Sequence, residues 1–115
     1  MAYTNLQYLR AVTGGDSVSI REIIELFIEQ VPEFITNLKK HLKAKDYVSL
    51  GKEAHKAKSS VMIMGMEDLG HDLKTLQLAT QSGTREEMYA GQVDRFEQQC
   101  QHAVKELQEE LLRLK

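Results

Sequence analysis

Apolar residues recur three or four positions apart along several long segments of this chain. The clearest series is Ile20, Ile24, Phe27, Val31, Ile35, Leu38 and Leu42. This spacing places apolar side chains on one face of an α-helix, and no alternation of polar and apolar residues is long enough to predict a strand. The only proline, Pro32, lies inside the series, so we expect a kink in this helix rather than its end.

Capping residues and glycines mark the ends of the first two helices. Thr4, with Gln7 three residues later, has the spacing of a capping box, and we expect a short helix that ends at the pair Gly14-Gly15. Asp16 is predicted to cap the long helix, which should reach about residue 43. The N-terminal helix therefore lies within residues 1–14, before the long apolar series.

Two shorter helices are predicted in the middle of the chain. Asp46 should cap the third helix and Gly65 should end it. The apolar face of this helix consists of Tyr47, Leu50, Ala54, Ala57, Val61 and Met64. Glu67 and Asp68 begin the fourth helix, because negative charge is favourable near a helix N-terminus. Its apolar face consists of Leu69, Leu73 and Leu76.

The last helix is predicted to follow a break at Gln81-Ser82-Gly83, with Thr84 and Glu87 as a second capping box. Its apolar residues are Tyr89, Val93, Phe96, Cys100, Ala103, Leu107, Leu111 and Leu114. Helices joined by short connections pack as antiparallel neighbours. We therefore predict an all-α fold for residues 1–115 as a single domain. It is an up-down antiparallel four-helix bundle of residues 16–115 with a short additional N-terminal helix.

The composition excludes several classes of function. Fifteen basic and seventeen acidic residues give a net charge of -2, which argues against nucleic-acid binding. One cysteine excludes an internal disulfide framework, and no two histidines have the spacing of helical metal ligands, so we expect no metal site. No run approaches the roughly 18 apolar residues of a membrane span, and the N-terminal residues contain no signal-peptide core. We expect a cytoplasmic protein.

The third helix contains a histidine that points away from its apolar face. At 3.6 residues per turn, His55 lies roughly 130° from the centre of that face and should be exposed. Gly51 and Ser59, four residues before and after it, are small and should leave the imidazole accessible. Lys58 is one turn further on and can place an ammonium group near whatever the imidazole carries.

These neighbours suit a nucleophile that another protein must reach. Val48 and Met62, seven residues on either side of His55, add apolar atoms to a face that should otherwise be polar. The neutral imidazole can attack an electrophile, and Lys58 could stabilise a phosphoryl group on it. The gain at an exposed site is on the order of 1 kcal/mol or less, so Lys58 should tune the reaction rather than create it.

The segment resembles the signature of histidine-containing phosphotransfer (HPt) domains. That signature is a phospho-accepting His followed by Lys at three residues, small residues at four and five, Gly at ten and Leu at fourteen. The corresponding residues here are His55, Lys58, Ser59, Ser60, Gly65 and Leu69. The family usually has Gly where this chain has Ser59, which is still small, and the expected helical layout matches over the whole chain.

The resemblance implies a phosphorelay intermediate rather than an enzyme. His55 would accept a phosphoryl group from an aspartate of one response-regulator receiver domain and pass it to another, with a hybrid histidine kinase as a further candidate partner. Gln77 matches the family position whose side chain hydrogen-bonds the imidazole. The receiver would supply the carboxylates and Mg²⁺, so the chain needs no cofactor of its own. We expect a monomer whose docking surface includes Val48, Gly51, Ser59 and Met62.

Two alternatives remain open at this stage. The bundle could be a catalytically silent adaptor that binds receivers without taking phosphate, or an HPt module of a larger histidine kinase. We also expect Gly51→Leu or Ser59→Phe to slow transfer while leaving the helix content unchanged, because both should crowd the imidazole without touching the core.

Overall fold

A computed structural model describes residues 3–114, which form five α-helices and one 3₁₀ turn. The α-helices are α1 (Gln7–Thr13), α2 (Ser17–Lys43), α3 (Tyr47–Ile63), α4 (Glu67–Ser82) and α5 (Tyr89–Arg113), and the 3₁₀ turn is Glu86–Met88. No strand occurs between residues 3 and 114, which confirms the predicted all-α class. The long helix α2 continues past Pro32, as expected.

Two of the predicted helix caps are present. The Asp16 carboxylate accepts a hydrogen bond from the backbone N–H of Ser19 at 3.1 Å, and Asp46 accepts one from Ser49 N–H at 3.2 Å. Each bond satisfies a donor that the first helical turn leaves without a partner. Hydrogen bonds from the serine side chain and then from its backbone N–H lower the pKa of both carboxyl groups, from Ser19 at Asp16 and from Ser49 at Asp46, because they favour the ionised form.

The predicted capping box at Thr4 is wrong. The helix begins three residues later, at Gln7, whose N–H donates to the Asn5 side-chain oxygen at 3.0 Å. The backbone N–H and the hydroxyl of Thr4 both donate instead to the Glu106 carboxylate of α5, each at 3.1 Å. A charged acceptor supplied by a distant helix therefore replaces the local cap.

The second capping box, at Thr84, is also wrong. Arg85 adopts a left-handed backbone conformation (φ 57°), and the 3₁₀ turn then separates Thr84 from the start of α5. The Thr84 carbonyl accepts a hydrogen bond from the Tyr89 hydroxyl at 2.6 Å. Since Tyr89 is buried and its ring packs edge-on against Tyr47, the burial of this side chain decides how α5 begins.

One apolar cluster lies at the centre of the long helices. Helix α2 packs against α3 and α5, and α4 packs against the same two helices. The core positions largely follow the predicted apolar faces, but α2 contributes Phe34 instead of Ile35, which lies at the edge of the core. Cys100 is fully buried, as expected, and its burial raises the thiol pKa to about 12. Among the described residues, no helix is long and apolar enough to span a membrane.

The N-terminal segment is attached to the ends of α3 and α5. Leu9 of α1 is completely buried in the core, and the Asn5 N–H donates to the Met64 carbonyl at 2.9 Å. Arg10 forms an ion pair with Glu110 of α5 at 2.8 Å. Helix α1 therefore packs as part of the folded structure beside the C-terminal end of α3.

Candidate functional site

His55 lies on the exposed side of α3. The opposite side of this helix faces the core through Leu50, Ala54, Ala57 and Val61, each of which is completely buried. Because these residues recur three and four positions apart, the imidazole one position after Ala54 is turned away from the core. The structure thus places the ring where a second protein can contact it.

Gln77 of α4 forms a hydrogen bond with the imidazole. The His55 Nδ1 and Gln77 Oε1 atoms are 3.1 Å apart. Since an amide oxygen can only accept, this contact is a hydrogen bond in the tautomer whose proton is on Nδ1. The second ring nitrogen, Nε2, then keeps its lone pair, which is the form required of a nucleophile.

The other residues predicted from α3 differ in exposure. Lys58 is half-buried and forms no ion pair with the described residues, whereas Ser59 is exposed. Val48 is 69% exposed and Met62 41% exposed. Among the described residues, the face around His55 therefore combines lysines that form no ion pair, such as Lys58, with apolar atoms open to solvent.

Two shallow grooves flank this face of α3. His55 and Gln77 line the first, of about 420 Å³, together with Val48, Lys52 and Thr80.

Ser59 and Met62 line the second groove, of about 410 Å³, where Tyr8 of α1 and Ile63 join them. Tyr8 is 56% exposed and Ile63 36% exposed. The sequence analysis missed Tyr8 because it considered α3 alone, and it missed Ile63 although this residue is the last of α3. A signal for Tyr8 was present in its spacing from Val12, which makes an apolar pair on one side of α1.

The expectation for Gly51 is wrong in one respect. The residue is buried, and a Cβ atom added to it would overlap the Thr80 hydroxyl of α4. Gly51 therefore allows two helices to approach each other, and it also lines the groove that His55 lines. Gly51→Leu would force α3 and α4 apart, so the expectation that it leaves the packing untouched does not hold.

Gly65 has two structural roles at the end of α3. Its φ of 73° lies in the left-handed region that favours glycine, and an added Cβ would overlap the Asn5 backbone. The glycine thus ends the helix and lets the N-terminal segment lie across it.

Side chains that could hold a metal ion are not grouped near His55. Within residues 3–114, no cluster of three or more His, Cys, Asp or Glu residues has a suitable arrangement. The arrangement that does exist is an exposed, oriented imidazole with a lysine one helical turn away, which can carry a group between other active sites.

A helical protein with such a histidine has the features of a phosphoryl carrier. The model of the Hpt domain family matches residues 22–115, which is most of the chain, and the protein belongs to this family. Hpt domains carry phosphoryl groups on histidine in two-component phosphorelays, interact with receiver domains and are not catalysts in themselves. No curated protein and no solved structure matches the chain.

Proposed function

We propose that this protein is a phosphorelay intermediate in which His55 is the phospho-accepting residue. His55 would receive a phosphoryl group from the aspartate of one receiver domain and transfer it to the aspartate of another. The observation that carries the proposal is the exposed imidazole whose Nδ1 is bonded to Gln77 Oε1 at 3.1 Å. In the neutral imidazole, that bond places the proton on Nδ1 and leaves the Nε2 lone pair available to a partner.

In the transfer step, the Nε2 lone pair attacks the phosphorus atom of the phosphoaspartate. The Nε2–P bond forms as the P–O bond to the aspartate breaks, and the aspartate leaves as a carboxylate. The imidazole becomes positively charged, because Nδ1 keeps its proton, and Gln77 Oε1 accepts a charge-assisted hydrogen bond from it. Reversal of the same step on a second receiver returns the neutral ring. Gln77 therefore both selects the reactive nitrogen and stabilises the charge that develops.

Lys58 and the partner supply the remaining charges. The Lys58 ammonium group lies one turn from His55 and would attract the phosphoryl oxygens. We propose that Mg²⁺ and the carboxylates that bind it belong to the receiver, where the ion would neutralise charge on the phosphoryl group.

The docking surface that we propose is wider than α3 alone. Val48 and Met62 lie on either side of His55, and Tyr8 and Ile63 extend the apolar area next to Ser59. An apolar surface surrounding a polar reactive residue is typical of a protein interface. Gly51 supports this surface from beneath, as a buried contact between α3 and α4.

The finer architecture belongs to the same proposal. We propose that α2 to α5 form an up-down antiparallel bundle, which the short connections and the packing of each helix against two others support. The buried cluster of the described residues supports the proposal of one domain over residues 1–115, with α1 as the additional helix within residues 1–14. A monomeric, cytoplasmic protein is part of the prediction.

A phosphorylation experiment tests the assignment of His55. In separate reactions, the protein is treated with phosphoramidate, a small phosphoryl donor, and with radiolabelled phospho-receiver domains. We expect one acid-labile, alkali-stable phosphate on the wild type and none on His55→Gln. His71→Gln, which changes an exposed histidine of α4, is the matched control and should be labelled like the wild type. Equal labelling of His55→Gln, or no labelling of the wild type, would contradict the proposal.

The adaptor hypothesis is the second candidate. It is favoured by Ser59, which stands where the family usually has glycine, and by the exposure of Val48 and Met62, which suits binding alone. An adaptor would bind receivers with the same affinity in the wild type and in His55→Gln, and neither protein would acquire phosphate. A phosphate on His55 would exclude this reading.

A further inference from the structure

Thr80 is a polar residue buried between α3 and α4. It is only 9% exposed, and its hydroxyl donates to the Gln77 carbonyl at 2.7 Å. Thr80 lies one helical turn after Gln77, so both side chains are on the side of α4 that faces α3. Gln77, which contacts the imidazole, and the buried Thr80 therefore form a continuous strip on α4.

Gly51 is the counterpart of Thr80 on α3, one turn before His55. A Cβ atom added to Gly51 would overlap the Thr80 hydroxyl, lie 3.3 Å from the Thr80 Cβ and lie 3.7 Å from the Gln77 carbonyl oxygen. Only a residue without a side chain lets α4 come this close. This close contact of α3 and α4 occurs one turn from the His55–Gln77 hydrogen bond. It therefore sets the distance between the Gln77 backbone and the His55 imidazole.

We propose that Gly51 and Thr80 are positioning residues for the phospho-accepting histidine. Their contact holds α4 close enough to α3 for Gln77 to bond Nδ1, and this bond keeps the neutral imidazole in its Nδ1–H tautomer. Neither residue touches the phosphoryl group. The effect on the imidazole follows from the geometry alone, whereas the effect on phosphorylation also rests on the proposed function of His55.

A second glycine, Gly70, also lies between α3 and α4, and comparison with it shows why the Gly51–Thr80 contact sets the helix separation. A Cβ on Gly70 of α4 would meet the side chain of Met62, which is flexible and partly exposed, so it can move aside. Thr80 is β-branched, buried and bonded to its own helix, and it has few other positions to adopt. The separation of α3 and α4 is therefore set more firmly at Gly51 than at Gly70.

The first test is Gly51→Ala, with the tautomer of His55 as the readout. In ¹⁵N-labelled protein, long-range ¹H–¹⁵N spectra distinguish a protonated from an unprotonated ring nitrogen. We expect the wild type to show Nδ1–H, and Gly51→Ala to show a mixture of both tautomers. Labelling by phosphoramidate should slow roughly tenfold in the variant, because small misplacements of reacting groups are costly. Gly91→Ala, at a helical glycine of α5 with open space around it, is the control and should leave both readouts unchanged.

Compensating variants separate positioning from a general loss of stability. Gly51→Ala combined with Thr80→Ala removes the overlapping hydroxyl and should restore the Nδ1–H signal. Thr80→Ser keeps the hydroxyl and should resemble the wild type, while Thr80→Val removes the hydrogen bond and should shift the tautomer mixture. These two variants add no atom at Gly51 and remain informative if Gly51→Ala does not fold.

The outcomes distinguish this inference from the proposed function. A folded Gly51→Ala that keeps the Nδ1–H tautomer and the wild-type labelling rate would overturn the positioning roles, even if His55 carries phosphate. Conversely, a tautomer change in Gly51→Ala supports positioning even if the wild type is never phosphorylated. In that case only the phosphotransfer proposal fails.

Discussion

In the proposed mechanism, the reactivity of His55 depends on one hydrogen bond and one nearby charge. Gln77 would determine which ring nitrogen carries the proton, through the geometry of its contact with Nδ1. Lys58 would act through a charge that is only half-buried and therefore screened by solvent. We expect the two effects to be separable by experiment, since one concerns the tautomer and the other the attraction of phosphate.

The first prediction concerns Lys58→Ala. We expect transfer from a phospho-receiver to slow roughly fivefold, because an exposed charge interaction contributes about 1 kcal/mol or less. The deficit should shrink as the salt concentration rises, since ions screen the interaction. The measurement is the rate of phosphoryl transfer at low and high salt.

Lys105→Ala is the matched control for this prediction, as it removes an exposed lysine from α5 rather than α3. Its transfer rate should equal that of the wild type. A loss of more than about 100-fold in Lys58→Ala, which is about 2.7 kcal/mol, would show that the lysine does more than tune the charge.

At the scale of single residues, the sequence could not distinguish the helical glycines from one another. Gly51 and Gly91 both interrupt a helical pattern, and glycine there is unfavourable by about 0.5–1 kcal/mol relative to alanine. Only the packed structure shows that Gly51 contacts Thr80 whereas Gly91 faces open space. The exposure of His55 was predictable because it follows from the period of its own helix.

Helix α3 is held in place by its cap and by α2. The cap is Asp46, whose carboxylate accepts from Ser49. Two side-chain hydrogen bonds connect α3 to α2, from Asn37 to Glu53 at 3.3 Å and from Ser60 to Gln30 at 3.1 Å. Together with the buried apolar face of α3, these contacts favour the rotation that turns His55 outward.

The second prediction concerns the cap of α3. The side-chain and backbone hydrogen bonds from Ser49 hold the pKa of Asp46 below its usual 3.8, with smaller contributions from His41 and Lys52. A lowered pKa in the folded state stabilises the fold above the usual pKa, and this contribution is lost as the pH falls through the lowered value. Asp46→Asn keeps an acceptor but cannot ionise, so it should lose less stability on acidification.

The measurement is the urea midpoint as the pH is lowered from about 5 to about 2. Asp94→Asn, at an exposed aspartate of α5, is the control and should follow the wild-type curve. An Asp46→Asn curve parallel to that of the wild type would mean that the cap does not contribute to the acid sensitivity.

At the scale of the whole molecule, the N-terminal segment completes the fold. The family match begins at residue 22, after α1, yet Leu9 of α1 is completely buried. The segment is held by Glu106 and Glu110 of α5, and it contributes Tyr8 to the groove beside Ser59. The N-terminal helix therefore links the packing of the core to the surface that we propose for docking.

The third prediction tests this link through Leu9→Ala. Removing a fully buried leucine leaves a cavity, and we expect a loss of about 2–5 kcal/mol in the free energy of unfolding. Val12→Ala, on an exposed side of the same helix, should change it by less than about 0.5 kcal/mol. The measurement is urea unfolding followed by circular dichroism. Equal stability of the two variants would show that α1 is not part of the cooperative core.

Much of the candidate site could be predicted because its signals are local. The outward direction of His55 and the caps at Asp16 and Asp46 depend on residues within about one helical turn. The position of Gln77 facing α3 came from a family resemblance, and its contact with the imidazole is visible only in the folded structure.

The sequence by itself determined which segments are helices and which residue could act as a nucleophile, since periodicity and capping operate over a few neighbouring residues. Only the tertiary structure decided that Thr4 bonds to Glu106, that Tyr89 reshapes the start of α5, and that Gly51 lies against Thr80. Each of these contacts depends on how whole helices pack against one another, which the local sequence does not specify. The close approach of α3 and α4 is such a contact, and we propose that the orientation of the imidazole depends on it.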